Sequence, residues 1–276
     1  MAFLPGYALV EGAAPTSTAF VLHGILGSWR NWRSFAQRLV AKRPDLRLLL
    51  VDLRNHADSR GAPPPHTLAA CADDLLRLAD HLRMEPAVAI GHSFGGKVAL
   101  ELGLRSSAPV REVWMLDTSP GARSTPDTSA GSPDGVIAAL RRIPLPIPSR
   151  DAVIPTLTGQ GFPLSLAQWL TTGVEPDPGH GYRWRFDLDG IEALLASYYA
   201  IDRWPALERP PAGTRLHAVR GSRSDRWSAA DCDRLDRIQA SGGAEVHVLP
   251  DAGHWLHADN PEALLSLLAT RLGTVP

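Results

Sequence analysis

Short runs that are apolar throughout, closed by turn residues and separated by stretches of helical periodicity, recur along most of this chain. They cover residues 18–23 (TAFVLH), 46–53 (LRLLLVDL), 86–91 (PAVAIG), 110–117 (VREVWMLD), 215–220 (RLHAVR) and 244–249 (AEVHVL). A strand with one wet face alternates apolar and polar residues. Continuous runs of this length suit strands buried on both faces of a parallel sheet. Between them, residues 67–83 place Leu68, Cys71, Ala72, Leu75, Leu76, Ala79 and Leu82 on one helical stripe. Residues 97–104, 229–238 and 261–272 show the same pattern, and Pro261 suits a first helical turn. Alternating strands and helices require crossover connections, so the expected fold is a doubly wound, mostly parallel α/β sheet.

Residues 121–211 break this rhythm. They are rich in Pro and Gly and contain no clear strand run. Residues 124–133 (STPDTSAGSP) and 142–148 (RIPLPIP) read as loops, whereas 165–172 and 190–201 can be helical. About ninety residues are too many for a plain loop. The expectation is therefore a core formed by residues 1–120 and 212–276, with 121–211 inserted as a helical cap over the mouth of the sheet.

Composition removes several classes of function. The formal net charge is -1, from 28 basic and 29 acidic residues. No run of Lys or Arg exceeds two residues, so no nucleic-acid partner is expected. Two cysteines, Cys71 and Cys232, are too few for a disulfide framework. Residues 1–12 lack the basic start and apolar run of a signal peptide. No stretch approaches the roughly 18 uninterrupted apolar residues of a membrane span. The expectation is a soluble cytoplasmic protein with no membrane partner.

The strongest chemical signal is Gly91-His92-Ser93-Phe94-Gly95-Gly96, set between an apolar strand run and a helical stretch. This is the setting of a nucleophile elbow. The turn is tight enough to strain Ser93, and side chains at positions 91 and 95 would strike the adjoining strand and helix. The strain lifts the Ser93 hydroxyl above the sheet and aims the Phe94 N–H, at the helix N-terminus, toward a developing oxyanion. His23-Gly24-Ile25-Leu26-Gly27-Ser28 follows the first apolar run, and the Ile25 N–H is the candidate second oxyanion donor. His23 is expected to order that loop by hydrogen bonding. Leu26, His92, Trp169 and Trp255 are candidates for the substrate pocket.

Gly253-His254-Trp255 follows the last strand run, where a loop can bring an imidazole to Ser93. His254 is thus the expected general base. His217 and His247 lie within strand runs, His81 within a helix and His180 within the presumed cap. His257 is the main rival, on the approach to the final helix. The acid has two candidates, Asp117 in Leu116-Asp117-Thr118-Ser119-Pro120 and Asp225 in Ser222-Arg223-Ser224-Asp225-Arg226-Trp227. Orienting an imidazole requires only a buried carboxylate within reach, and either strand end can deliver one. Residues 52–59 (DLRNHADS) are expected to fix the loop beside the pocket. The sequence has no Cys/His cluster, no His-Glu-x-x-His pattern and no dinucleotide fingerprint, so neither a metal nor a cofactor is expected.

Taken together, residues 23–28 (HGILGS), 52–59 (DLRNHADS), 91–97 (GHSFGGK) and 253–258 (GHWLHA) resemble the α/β-hydrolase superfamily over nearly the whole chain. The resemblance is nearest to small acyl hydrolases with a two-helix cap. It implies a carboxylesterase or thioesterase acting on short to medium acyl groups without a cofactor. It favours Asp117 as the acid and places Ser224 near the site. The chain departs from the family at Ala57, where Gly is usual. Two other readings stay open at this point: acyl transfer to an alcohol or amine in a dry pocket, and a ligand-binding receptor on a hydrolase fold.

Overall fold

The computed structural model describes residues 3–107, 110–123, 129 and 131–273. Its main sheet has seven strands, in the spatial order β1-β3-β2-β4-β5-β8-β9. These are β1 (Tyr7–Glu11), β2 (Ser17–Leu22), β3 (Leu46–Val51), β4 (Val88–His92), β5 (Glu112–Leu116), β8 (Arg215–Gly221) and β9 (Glu245–Leu249). Only β1 runs antiparallel, to β3; every other pairing is parallel. Helices α1 (Arg33–Lys42), α2 (Leu68–Leu82), α3 (Phe94–Arg105), α9 (Ala229–Ala240), α10 (Leu256–Asp259) and α11 (Pro261–Arg271) flank it. Two apolar clusters result, one on each face of the sheet.

The expected doubly wound sheet is present, and all six apolar runs are strands. β2 to β5 are buried on both faces for most of their length. β9 is different: most of its residues are only half-buried and Val248 is exposed, because it is an edge strand. β1, at the other edge, alternates exposed and half-buried residues, and so has no continuous apolar run to reveal it. Cys71 is buried within α2, and both cysteines are free thiols. Thr67 caps α2 by accepting the Ala70 N–H.

Between β5 and β8 the chain, among its described residues, contributes no strand to this sheet. It forms α4 (Pro133–Arg141), α5 (Val153–Thr158), α6 (Leu164–Thr171), α7 (Leu188–Ala200) and α8 (Trp204–Glu208). It also forms a separate antiparallel hairpin, β6 (Val174–Asp177) with β7 (Gly181–Trp184). The two helices expected here are α6 and α7. The sequence reading missed the hairpin because Pro176 and Asp177 are poor strand formers, and only Val174 and Trp184 of its residues are buried. Residues 124–128 and 130 of the expected loop lie outside the described residues. No helix among the described residues is long and apolar enough to cross a membrane.

Candidate active site

The parallel strands β2, β4, β5 and β8 bring their carboxyl ends to one edge, and the loops beyond them build the site. Ser93 joins β4 directly to α3 with φ 53° and ψ −118°, a conformation that L-residues seldom adopt. The neighbours leave no alternative. A Cβ on Gly91 would collide with the Gly95 carbonyl, and one on Gly95 would come within 2.5 Å of the His23 carbonyl oxygen. The Ser93 N–H donates to the Leu116 carbonyl at 2.9 Å, and the Thr118 hydroxyl donates to the Ser93 carbonyl at 2.8 Å. The strained turn is therefore tied to the end of β5.

That strand end carries Asp117, buried and also at positive φ, 49°. His254 Nδ1 lies 2.7 Å from Asp117 Oδ2. The same Oδ2 accepts from the Ser224 hydroxyl at 2.5 Å. Oδ1 accepts from the Gly221 N–H at 3.1 Å and from the Trp227 indole N–H at 3.0 Å. Both oxygens of the buried carboxylate are thus hydrogen-bonded, which is the condition for keeping a charge out of water. Asp225, the alternative acid, is not at the site. Its side chain is 81% exposed and pairs with Arg226 at 3.2 Å. The residue two places on, Trp227, turns inward instead.

Because Asp117 accepts at Nδ1, that nitrogen of His254 carries the hydrogen and Nε2 keeps its lone pair. His254 and Ser93 line the same cavity, of about 120 Å³. His92 supports the histidine from below: its Nε2–H donates to the His254 carbonyl at 2.8 Å. Burial, with the His254 and His257 imidazoles nearby, holds the His92 pKa well below its ordinary value. His257, the rival base, stacks on Trp32 with ring centroids 4.4 Å apart. Burial pushes it down to about 4.

The loop after β2 is held by two further imidazoles. His23 Nδ1–H donates to the Gly24 carbonyl at 2.7 Å, while its Nε2 accepts the Leu53 N–H at 2.9 Å. His56 Nδ1–H donates to the Arg54 carbonyl at 2.9 Å, and its Nε2 accepts the Leu26 N–H at 3.0 Å. Burial pushes His56 down to about 4 and His23 well below the ordinary range, so both rings are neutral at pH 7. The Leu26 amide is thereby occupied and Leu26 is held at φ 61°. Among the described residues no group accepts from the Ile25 or the Phe94 N–H, and both residues line the cavity. Residues 52–59 act as the sequence reading expects. Asp52 accepts the Trp29 and Asp58 amides, and Arg54 forms a buried ion pair with Asp74 at 2.8 Å. Ala57 adopts φ 43°, a backbone conformation that suits Gly better than a residue with a Cβ.

Leu26, His92, Trp169 and Trp255 all line the cavity. The Trp169 and Trp255 rings meet at 4.8 Å. From the segment between β5 and β8 come Val136, Leu166, Leu195, Tyr198 and Tyr199. Trp184 and Trp204 of the same segment pack elsewhere: Trp184 stacks on Phe186, and Trp204 lies under Arg234. Sequence reasoning missed Arg123 and Arg226 as lining residues, and Trp227 as a partner of Asp117. Nothing local in the sequence distinguishes these from surface residues. It also missed a grouping on β8 and β9, where His217, Glu245 and His247 bring possible ligand atoms within 4.8 Å of one another.

The whole arrangement (hydroxyl, imidazole, buried carboxylate and two idle amides) suits nucleophilic acyl chemistry. Comparison with known proteins agrees with the architecture. The model of the alpha/beta hydrolase family matches residues 19–267. The chain is 30% identical over 271 residues to the sn-1-specific diacylglycerol lipase ABHD11 of Mus musculus, covering 96% of this chain and 84% of that one. It is 27% identical to esterase YbfF of Escherichia coli (strain K12), covering 90% of each. A solved marine microorganism esterase superposes with a TM-score of 0.75 at 24% identity, covering 98% of this chain and 99% of that one. With the sheet order, the strained serine turn and a family match spanning both parts of the core, the chain belongs to the α/β-hydrolase family.

Proposed function

We propose that this protein is a serine hydrolase that cleaves carboxylic esters or thioesters of small to medium acyl groups through an acyl-enzyme. The observation that carries this reading is the 2.7 Å contact between His254 Nδ1 and Asp117 Oδ2, made by a histidine that shares its cavity with Ser93. Lipases and esterases among the relatives support the same chemistry.

In the proposed cycle His254 Nε2 takes the Ser93 proton as the hydroxyl oxygen attacks the acyl carbon. The tetrahedral oxyanion is held by the Ile25 and Phe94 N–H groups, which no other group among the described residues occupies. His254 then gives the proton to the departing alkoxide or thiolate. Water, deprotonated by the same nitrogen, releases the acid and restores Ser93. Asp117 stays ionised throughout and stabilises the imidazolium. We assign residues 121–211 as a cap that closes the pocket. The support is that they supply its apolar wall while giving no strand to the main sheet.

The test is hydrolysis of p-nitrophenyl esters from acetate to decanoate by the wild type and Ser93→Ala. Substituting the nucleophile is expected to lower kcat by about 10⁶-fold. Equal rates in the two proteins would exclude Ser93 as the nucleophile. The chain-length optimum reports the depth of the pocket.

A further inference from the structure

Away from the pocket, β8 and β9 place three polar side chains on a face of the sheet that is otherwise apolar. The two strands are parallel, with His217 opposite Glu245 and Val219 opposite His247. Side chains two apart in a strand share a face, so His217, Glu245 and His247 lie on one side of the sheet. Their neighbours on that side, Trp114, Val219 and Leu249, belong to its apolar cluster. His217 itself is buried. None of the three lines the cavity around Ser93.

The three side chains converge. His217 Nδ1 lies 3.2 Å from His247 Nε2 and 3.7 Å from a Glu245 carboxylate oxygen. One ligand atom from each residue falls within 4.8 Å of the other two. Two nitrogens on a tetrahedral zinc ion, each about 2.0 to 2.1 Å from it, are about 3.3 Å apart. The imidazole pair is therefore already at ligand spacing. Glu245 exposes 45% of its side chain, so its carboxylate can turn the last few tenths of an ångström inward. A hydrogen bond between the two rings would account for their closeness but not for the carboxylate beside them.

The His217 ring is fixed by stacking on Trp114, with centroids 3.8 Å apart and planes 9° from parallel. A metal-bound imidazole is usually oriented by a hydrogen bond from its second nitrogen. Here Nε2 is buried without a partner among the described residues, and the indole supplies the constraint instead. Arg215 and Arg271 lie near His217, and Arg271 also near His247. Arg215 is paired with Glu112. Both charges oppose a cation. With three ligands and no thiolate, they place the expected dissociation constant on the order of micromolar, weaker than a closed four-ligand zinc site.

We propose that His217 Nδ1, His247 Nε2 and the Glu245 carboxylate bind one divalent transition-metal ion of the zinc type, with water as the fourth ligand. Two imidazoles and one carboxylate suit zinc better than calcium or magnesium, which take oxygen ligands. Each ring then carries its hydrogen on the other nitrogen. The ion ties β9, an edge strand with one neighbour, to β8. These strands lead to the Gly221 N–H that holds Asp117 and to the loop that bears His254.

The test is calorimetric titration of the full chain with zinc chloride after dialysis against a chelator. One ion per chain is expected. His247→Ala and, separately, Glu245→Gln should weaken binding by at least about tenfold. Both side chains are only half-buried, so these variants spare the core. His254→Ala should leave zinc binding unchanged, which separates this site from the catalytic imidazole. Cobalt(II) in place of zinc should give the strong visible absorption of a four-coordinate ion, lost in His247→Ala. Saturating zinc should raise the melting temperature by about 5 °C in the wild type and not in His247→Ala. Absence of binding at about 1 mM zinc overturns the proposal. So does binding that survives both His247→Ala and Glu245→Gln, or that is lost in His254→Ala.

Discussion

The floor and the roof of the pocket are built on different principles. The floor comes from the strand ends. Leu26, Ser93 and Asp117 all sit there at positive φ, and the Leu26 amide, the Ser93 carbonyl and the Asp117 carboxylate are partnered by a neutral imidazole, a hydroxyl and further donors. Strain of this kind persists only where the surroundings over-determine it. The roof, from the segment between β5 and β8, offers Val136, Leu166 and Leu195, whose contribution is volume. One buried side chain ties the two together. Lys97 on α3 donates to the Gly121, Tyr198 and Ile201 carbonyls at 2.7, 2.9 and 2.9 Å, and lies over the Tyr198 ring. Burial pushes its pKa down to about 8, against the opposing pull of the Asp202 carboxylate. The contrast teaches that geometry on the floor has little latitude, whereas the roof can vary its side chains and leave the reacting groups in place.

The sharpest way to break this comparison is at the carboxylate. Asp117→Asn should lower kcat by about 10⁴-fold with the fold intact, since the amide holds the wrong imidazole tautomer. Asp225→Asn should change kcat by less than about twofold, because its carboxylate faces solvent. Equal losses in the two variants would reverse the assignment.

Acid should then find the floor before the roof. His56 has a folded pKa of about 4 against an ordinary 6.5, so as pH falls the unfolded chain takes up this proton first. Its contribution to stability is present above pH 6.5 and drains away toward pH 4. His23 and His92, also held low by burial, act in the same direction. Asp52 acts in the opposite one. Burial raises it from 3.8 to about 6, so the folded chain binds that proton first and offsets one histidine below pH 6. Each net proton should cost about 1.4 kcal/mol of stability per pH unit. Urea unfolding at pH 7, 6 and 5 measures the slope, and a flat profile would show that these imidazoles are not held neutral.

A smaller effect is expected on the roof. Leu195→Ala should move the preferred acyl chain toward greater length, changing the kcat/KM ratio of neighbouring esters by about tenfold with the pH profile unchanged. A large loss of kcat on every ester would show that roof and floor are not separable. Smallest of all, Ala57→Gly should raise stability by about 0.5 to 1 kcal/mol, by removing the cost of a Cβ at φ 43°. A denaturation midpoint that falls would mean that the Ala57 methyl contributes more through packing than it costs in strain.

Several of these features were legible before any coordinates. β2, β3, β4 and β5 announced themselves because strands buried on both faces must be apolar at every position. β1 and the β6–β7 hairpin did not, because an exposed strand carries no such signature. The Ser93 turn was legible from Gly91 and Gly95, since steric exclusion acts between near neighbours in the chain. Most of the roof was not, its helices being short and interrupted by proline.

The sequence by itself determined the sheet, the strained serine and the kind of chemistry it serves, because periodicity and close-range sterics are written in adjacent residues. The tertiary structure alone decided which carboxylate meets the imidazole and which cations face the pocket. Asp117 and His254 lie 137 positions apart, and Asp225 differs from Trp227 only in which way a loop turns its side chain. Whether distant groups meet is fixed by packing and hydrogen bonding summed over the whole molecule.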